Sequence, residues 1–91
     1  MEFEWDPSKA RKNLQKHGIS FSEAATVFGD SLSVTFSDPD HSVRENRYII
    51  TGLSSTGQVL LIAHTYRNNR IRIISARKAT RQERKYYEEE K

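Results

Sequence analysis

From Arg47 to Ala76 the chain reads as three strands separated by two turns too short to be anything but hairpins. RYIITGL and QVLLIAHTY flank SSTG, and RIRIISA follows RNN. The strands are rich in β-branched and aromatic residues, and the turns hold the small polar residues that tight reversals need. Asn68-Asn69 suits a turn that requires positive φ. Two successive hairpins make an antiparallel meander the centre of the fold. If Ser54 and Gly57 flank the first turn, His64 falls opposite Arg47. If Arg67 and Arg70 flank the second, Tyr66 falls opposite Ile71. Period two then puts Arg47, His64, Tyr66 and Ile73 on one face, and Thr65, Arg67, Arg70 and Arg72 on the other. A slip of one residue in either register exchanges the faces.

The elements around this meander are marked by their caps. EFEW alternates and suits a short edge strand. Asp6 is placed as an N-cap, with Pro7 at the first helical position. The helix SKARKNLQKH presents Ala10, Leu14 and His17 on one side and Lys9, Lys12 and Lys16 on the other, and Gly18 closes it. Ser20 and Glu23 form a capping box, with Ile19 and Ala24 as its staple. Phe21, Ala24, Ala25 and Phe28 make the apolar stripe of this second helix. LSVTF reads as a strand, and SDPDHSVREN as a polar loop. Gly52, inside a strand, marks a bulge or a close approach. Thr80 and Glu83 form another capping box at the head of RQERKYYEE. The order β-α-α-β-β-β-β-α predicts an α+β protein: an antiparallel sheet with two N-terminal helices and one C-terminal helix. At 91 residues it is expected to be a single domain, 1–91.

Charge is distributed unevenly. Residues 1–40 hold four Lys/Arg against seven Asp/Glu, whereas residues 41–91 hold eleven against five. Between Arg67 and Arg81 there are six bases and no acid. Such a field attracts polyanions, nucleic acid foremost, or an acidic protein partner. The absence of cysteine removes disulfides, thiolate catalysis and cysteine metal sites, and fits a reducing compartment. MEFEWDPSK lacks the basic and apolar regions of a signal peptide, and VLLIA is far too short to span a membrane. The expected location is the cytoplasm.

The chemistry-bearing residues narrow the function. His17, His41 and His64 have no metal-ligand spacing, and only a weak metal set could be drawn from His41 with Asp38 or Asp40. No glycine-rich phosphate loop is present, so no metal or nucleotide cofactor is expected. Basic and aromatic residues remain. Cleavage of RNA through its 2′-hydroxyl needs a base, cationic donors for the phosphorane and an acid for the 5′ oxygen. Histidine suits the first and last tasks, arginine the second, and tyrosine can stack a base or donate a proton. The candidate catalytic residues are His64, His17, Arg72, Arg77 and Tyr66; Lys16, Arg47, Arg67, Arg70, Lys78 and Arg81 are candidate RNA contacts. Each has a plainer reading. His64 and Tyr66 could be strand-packing residues, His17 a helix C-cap, Arg77 the partner of Glu83 or Glu45, and Arg47 the partner of Glu45.

The sequence also resembles the BrnT family, the toxin half of type II toxin–antitoxin pairs. The resemblance rests on FEWDPSKARKNLQKHGISFSEAATVF, on Asp38 or Asp40 with His41, Glu45 and Arg47, on Gly52, and on IRIISARKATRQERKYY. It implies a RelE-like ribonuclease fold, RNA cleavage that arrests translation, and a ribbon-helix-helix antitoxin that covers the toxin. It further implies that operator DNA is bound only through the toxin–antitoxin complex. The alternative is a non-enzymatic interaction or nucleic-acid-binding module that acts only with its partner.

Overall fold

A computed structural model describes residues 1–38 and 45–89. The expected polar loop is therefore described only at its ends, and His41 and Asp40 of the proposed metal set lie outside the described residues. The elements are strand β1 (Phe3–Glu4), helix α1 (Pro7–His17), helix α2 (Phe21–Thr26) with a 3₁₀ turn (Val27–Gly29), strands β2 (Val34–Ser37), β3 (Tyr48–Leu53), β4 (Val59–Arg67) and β5 (Arg70–Lys78), and helix α3 (Arg81–Glu89). The strands form one sheet in the order β1-β5-β4-β3-β2.

The expectation of an antiparallel sheet holds for β2 through β5 and fails at β1. Phe3 and Glu4 pair in parallel with Ile71 and Arg72, so the sheet is mixed. The reason is topological. A crossover through α1, α2 and the meander separates β1 from its neighbour, and only hairpin neighbours are bound to run antiparallel. EFEW does sit at an edge, as its alternation suggests.

The local signals behave as their chemistry dictates. Asp6 accepts the Ser8 N–H at 2.8 Å, and Gly18, at φ 72°, donates its N–H to the Leu14 carbonyl at 2.9 Å. Asn68 and Asn69 take φ 54° and 62° at the β4–β5 turn. That turn pairs Arg67 with Arg70 and Tyr66 with Ile71, in the expected register. The β3–β4 register is one residue off the expectation: His64 faces Tyr48, not Arg47. The loop closes between the Ser54 N–H and the Gln58 carbonyl at 2.8 Å, because Glu23 of α2 gathers it from outside. One carboxylate oxygen accepts from Ser54 at 2.8 Å, Thr56 at 2.5 Å and Gln58 at 2.9 Å. These donors, the Thr56 hydroxyl foremost, hold the Glu23 carboxyl below the usual range. Ser20 still caps Glu23 N–H at 3.0 Å, but the Glu23 side chain serves the hairpin.

Helices α1 and α2 cover one face of the sheet. There Ile19, Phe21, Ala24 and Val27 pack against Ile50, Leu60, Ile62, Ile73 and Ala76. Each large apolar side chain removed from water here contributes about 1.5–3 kcal/mol. Gly52 marks a close approach: a Cβ there would lie 2.9 Å from Val27 Cγ1 and 3.0 Å from Ser33 Cβ. The α1 face differs from its apolar pattern. Leu14 is exposed and Asn13 is buried. The Asn13 amide donates to the Ile19 and Ala76 carbonyls, both at 2.9 Å, and accepts the Ala76 N–H at 3.0 Å. It thus acts as a one-residue strand on the part of β5 that β1 is too short to reach. A bulge between Ala63 and His64 of β4, opposite Ile73 and Ser75, lies beside this contact.

Helix α3 lies over one end of the other face. Its Tyr87 hydroxyl donates to Asp30. Burial foremost, and then this carboxylate, push the phenol up to about 12. Thr80 and Glu83 complete a reciprocal capping box, at 2.8 and 3.1 Å.

Candidate functional site

Among the described residues, the face opposite α1 and α2 is open where α3 does not reach. Period two sends Ile49 of β3, Leu61 and Ala63 of β4, and Ser75 and Arg77 of β5 to this side. They floor a cleft of about 500 Å³ rimmed by His17, Phe36, Ser37, Asp38 and Glu83. His17 arrives from the end of α1, at the point where Asn13 fixes that helix to Ala76. Arg77 arrives from the C-terminal end of β5, and Glu83 from the first turn of α3. Ile49, Leu61 and Ala63 make the centre of the floor apolar, and the Arg77 guanidinium reaches from it to a rim that holds His17, Asp38 and Glu83.

Arg77 and Glu83 form a bidentate pair, Nη1 to Oε1 at 2.7 Å and Nη2 to Oε2 at 2.9 Å. The guanidinium, helped by the Thr80 N–H, holds the Glu83 carboxyl down to about 2. The carboxylate in turn raises the Arg77 pKa. The pair is partly exposed, so the guanidinium is braced without being sealed. An arginine has five N–H donors in a fixed fork, so N–H groups beyond the two on Glu83 can still meet an anion.

The other candidates are spread across the molecule. His64 does not reach the cleft. It lies on the covered face at 0% exposure, against Phe28, Tyr48 and Tyr66. Its Nδ1 is 3.1 Å from the Ile62 carbonyl, its Nε2 has no hydrogen-bond partner among the described residues, and burial lowers its pKa. A general base must come within hydrogen-bond reach of its proton, so an expectation of catalysis by His64 meets a sealed ring. Tyr66 is exposed on the same covered-face side, near the β4–β5 turn. Arg72 is paired with Glu4 at 2.7 Å, and Arg67 with Glu45 at 2.8 Å. Arg70 is exposed beside them, and Arg47 adjoins β3 without sharing the His64 face. Lys16 is exposed on α1 beside His17 and Arg81 on the first turn of α3, whereas Lys78, exposed at the end of β5, alternates with Arg77 onto the Leu60 face near Glu23 of α2.

The basic run is consequently not one patch. Strand β5 separates Arg70 from Arg77 by seven residues, roughly 23 Å at the ordinary rise of a strand. Arg67, Arg70 and Arg72 sit at one end of the sheet, and Arg77, Lys78 and Arg81 at the other. Of the expected catalytic residues, only His17 and Arg77 share a cleft. Phe36 and Ser75 were not legible as its lining, because their chain positions carry no motif, and Asp38 was read only as one of two alternatives in a motif. The strand pairing brings all three to it. Among the described residues no group of three or more His, Asp or Glu is arranged to hold a metal ion.

An imidazole and a braced guanidinium at the rim of an open apolar sheet define a small α+β protein able to hold an anion and exchange a proton beside it. The family model described as "Ribonuclease toxin, BrnT, of type II toxin-antitoxin system" matches residues 5–83. The chain belongs to that family. Its fold is similar to the crystal structure of the Brucella abortus ribonuclease toxin BrnT, with a TM-score of 0.70 and 19% identity over 89% of this chain and 99% of that one. No curated protein sequence gives a significant match. No helix among the described residues is long and apolar enough to cross a membrane.

Proposed function

We propose that this chain is an endoribonuclease that cuts RNA by attack of a ribose 2′-hydroxyl on the neighbouring phosphate, with no metal ion required. The observation that carries the reading is the meeting of His17 and Arg77 in one open cleft. Neutral His17 takes the 2′-hydroxyl proton as the oxygen attacks phosphorus. Arg77 meets the non-bridging oxygens, where negative charge grows in the phosphorane. The P–O5′ bond breaks, and the departing oxygen takes a proton from the imidazolium or from water, leaving a 2′,3′-cyclic phosphate. Lys16 and Arg81 would steer the backbone into the cleft, and Lys78, which points to the α2 side of the sheet, would act only as a longer-range attraction. Arg47, Tyr66, Arg67, Arg70 and Arg72 would meet flanking RNA further along the molecule.

Cutting messenger RNA in the cytoplasm would arrest translation and growth. The family assignment supports an antitoxin partner. We take that partner to be a ribbon-helix-helix protein through which alone the complex meets operator DNA, and we take the fold to be RelE-like. Purified protein incubated with RNA in excess chelator tests the chemistry. Cleavage should persist, should stop when a 2′-deoxy residue precedes the scissile phosphate, and should fall at least a hundredfold in His17→Ala. Activity that vanishes with chelator would end the metal-free mechanism. The tight Glu83 hold on Arg77 favours a second reading, a silent member that only binds its partner. Growth on induction separates the two: arrest relieved by the protein encoded beside this chain marks a live toxin.

A further inference from the structure

Among the described residues the outer edge of β2 has no neighbour in the sheet. Asp38 donates its N–H inward to the Arg47 carbonyl at 2.8 Å, and the β2–β3 pairing keeps that register through Val34 opposite Thr51. Antiparallel pairs alternate between bonded and non-bonded. Phe36 and Val34 therefore bond inward, and the N–H and C=O groups of Thr35 and Ser37 point away from the sheet. Among the described residues nothing meets them. Charge, proline or a bulge usually guards such an edge, and VTFS has none of these.

The surface beside this edge is apolar. Leu32, Phe36, Leu53 and Tyr86 are each between 42% and 63% exposed, and all lie around the β2–α3 margin. A groove of about 460 Å³ runs there over Val34, Phe36, Thr51 and Leu61, walled by Tyr86 and Tyr87 of α3. Beyond Tyr86, Arg81 and Lys85 line an adjoining depression, where they outnumber one acid, Glu89. Unpaired backbone, a row of apolar sites at strand spacing and two cations outside them describe the complement of one kind of ligand. That ligand is an extended segment with alternating apolar and acidic side chains.

We propose that the β2 edge takes an extended acidic–apolar segment of the antitoxin as a sixth strand, a reading that rests on the toxin–antitoxin assignment above. The added strand hydrogen-bonds Thr35 and Ser37, sets alternate apolar side chains beside Phe36 and into the groove under Tyr86, and turns its acids toward Arg81 and Lys85. Phe36 lines both this groove and the His17–Arg77 cleft. A partner seated here overhangs the cleft, so docking and inhibition become one event.

The test uses the whole chain and the protein encoded beside it. In the free chain the Thr35 and Ser37 amides exchange hydrogen rapidly, and the complex should slow both at least a hundredfold. Thr35→Pro removes an outward N–H and leaves the β3 ladder intact. It should keep RNA cleavage within twofold of wild type, weaken capture of the partner at least tenfold and abolish growth rescue. Tyr66→Ala, remote from the edge, should bind as wild type does. If Thr35→Pro no longer folds, the amide exchange decides alone. A partner that binds wild type while both amides stay unprotected overturns the edge proposal and leaves the toxin–antitoxin reading standing. A wild-type chain that captures no such partner overturns both. Protection of the same amides by RNA alone, or by a second copy of the chain at high concentration, also overturns it.

Discussion

The Arg77–Glu83 pair supports a quantitative prediction about stability and pH. Glu83 titrates at about 2 in the folded chain, against 4.5 without its partners. Taken at face value that difference is about 3 kcal/mol, at 1.36 kcal/mol for each pH unit. The side chains are 42% and 33% exposed, and screening by water reduces what such a pair delivers. Bidentate geometry at 2.7 and 2.9 Å and the added Thr80 N–H argue against a negligible value. We therefore expect a coupling of about 1–2 kcal/mol in a double-mutant cycle of Arg77→Met and Glu83→Gln at pH 7. The folded pKa is depressed, so this stability is fully present above pH 4.5 and is lost as pH falls through the folded value of about 2. Urea unfolding of the wild type, both single variants and the double variant, at pH 7 and again near pH 2, measures it. At about 1 kcal/mol/M, each coupled kcal shifts a midpoint by about 1 M. A coupling near zero at pH 7 would show that the pair only decorates the surface. A coupling unchanged near pH 2 would show that charge is not its origin. Cleavage by the same variants separates structure from chemistry. Arg77→Met should cost at least tenfold in rate per folded molecule if the guanidinium meets phosphate.

Three further outcomes follow from the packing. Asn13→Ala strips a buried N–H and two buried carbonyls of their partners and should cost about 2–4 kcal/mol in urea unfolding; an unchanged midpoint would refute the role given to this amide. His64 has a lowered pKa because it is buried, so it contributes stability above about pH 6.5 that is lost as pH falls below that value. His64→Phe should flatten that dependence in thermal melts between pH 7 and 5, and an equal slope in both proteins would count against it. Gly52→Ala drives a methyl to 2.9 Å from Val27 and should destabilise by about 1–3 kcal/mol, a penalty that Val27→Ala in the same chain should partly relieve.

The sequence determined those features whose physics is local. Asp6, Gly18, Thr80 with Glu83, and Asn68-Asn69 each act within a few residues, so their caps and turn stand where the pattern put them. The meander and its α+β setting were legible for the same reason. So was the tie between Arg77 and Glu83 as one of two possible partners, since both lie at one strand-to-helix junction. Tertiary structure decided the rest. Period two sorts strand residues into two sets but does not say which set the helices will cover. Packing of α1 and α2 chose the face of His64 and sealed it, leaving the other to His17 and Arg77. The first hairpin register depended on Glu23, which lies 31 residues before Ser54 and whose reach no local rule contains. The parallel β1 and the burial of Asn13 arise where β5 outruns its neighbour and its bare backbone groups must still be paired. A continuous basic run in the sequence became two separated clusters because a strand carries its residues about 3.3 Å apart, while charge counted along a chain has no distance in it.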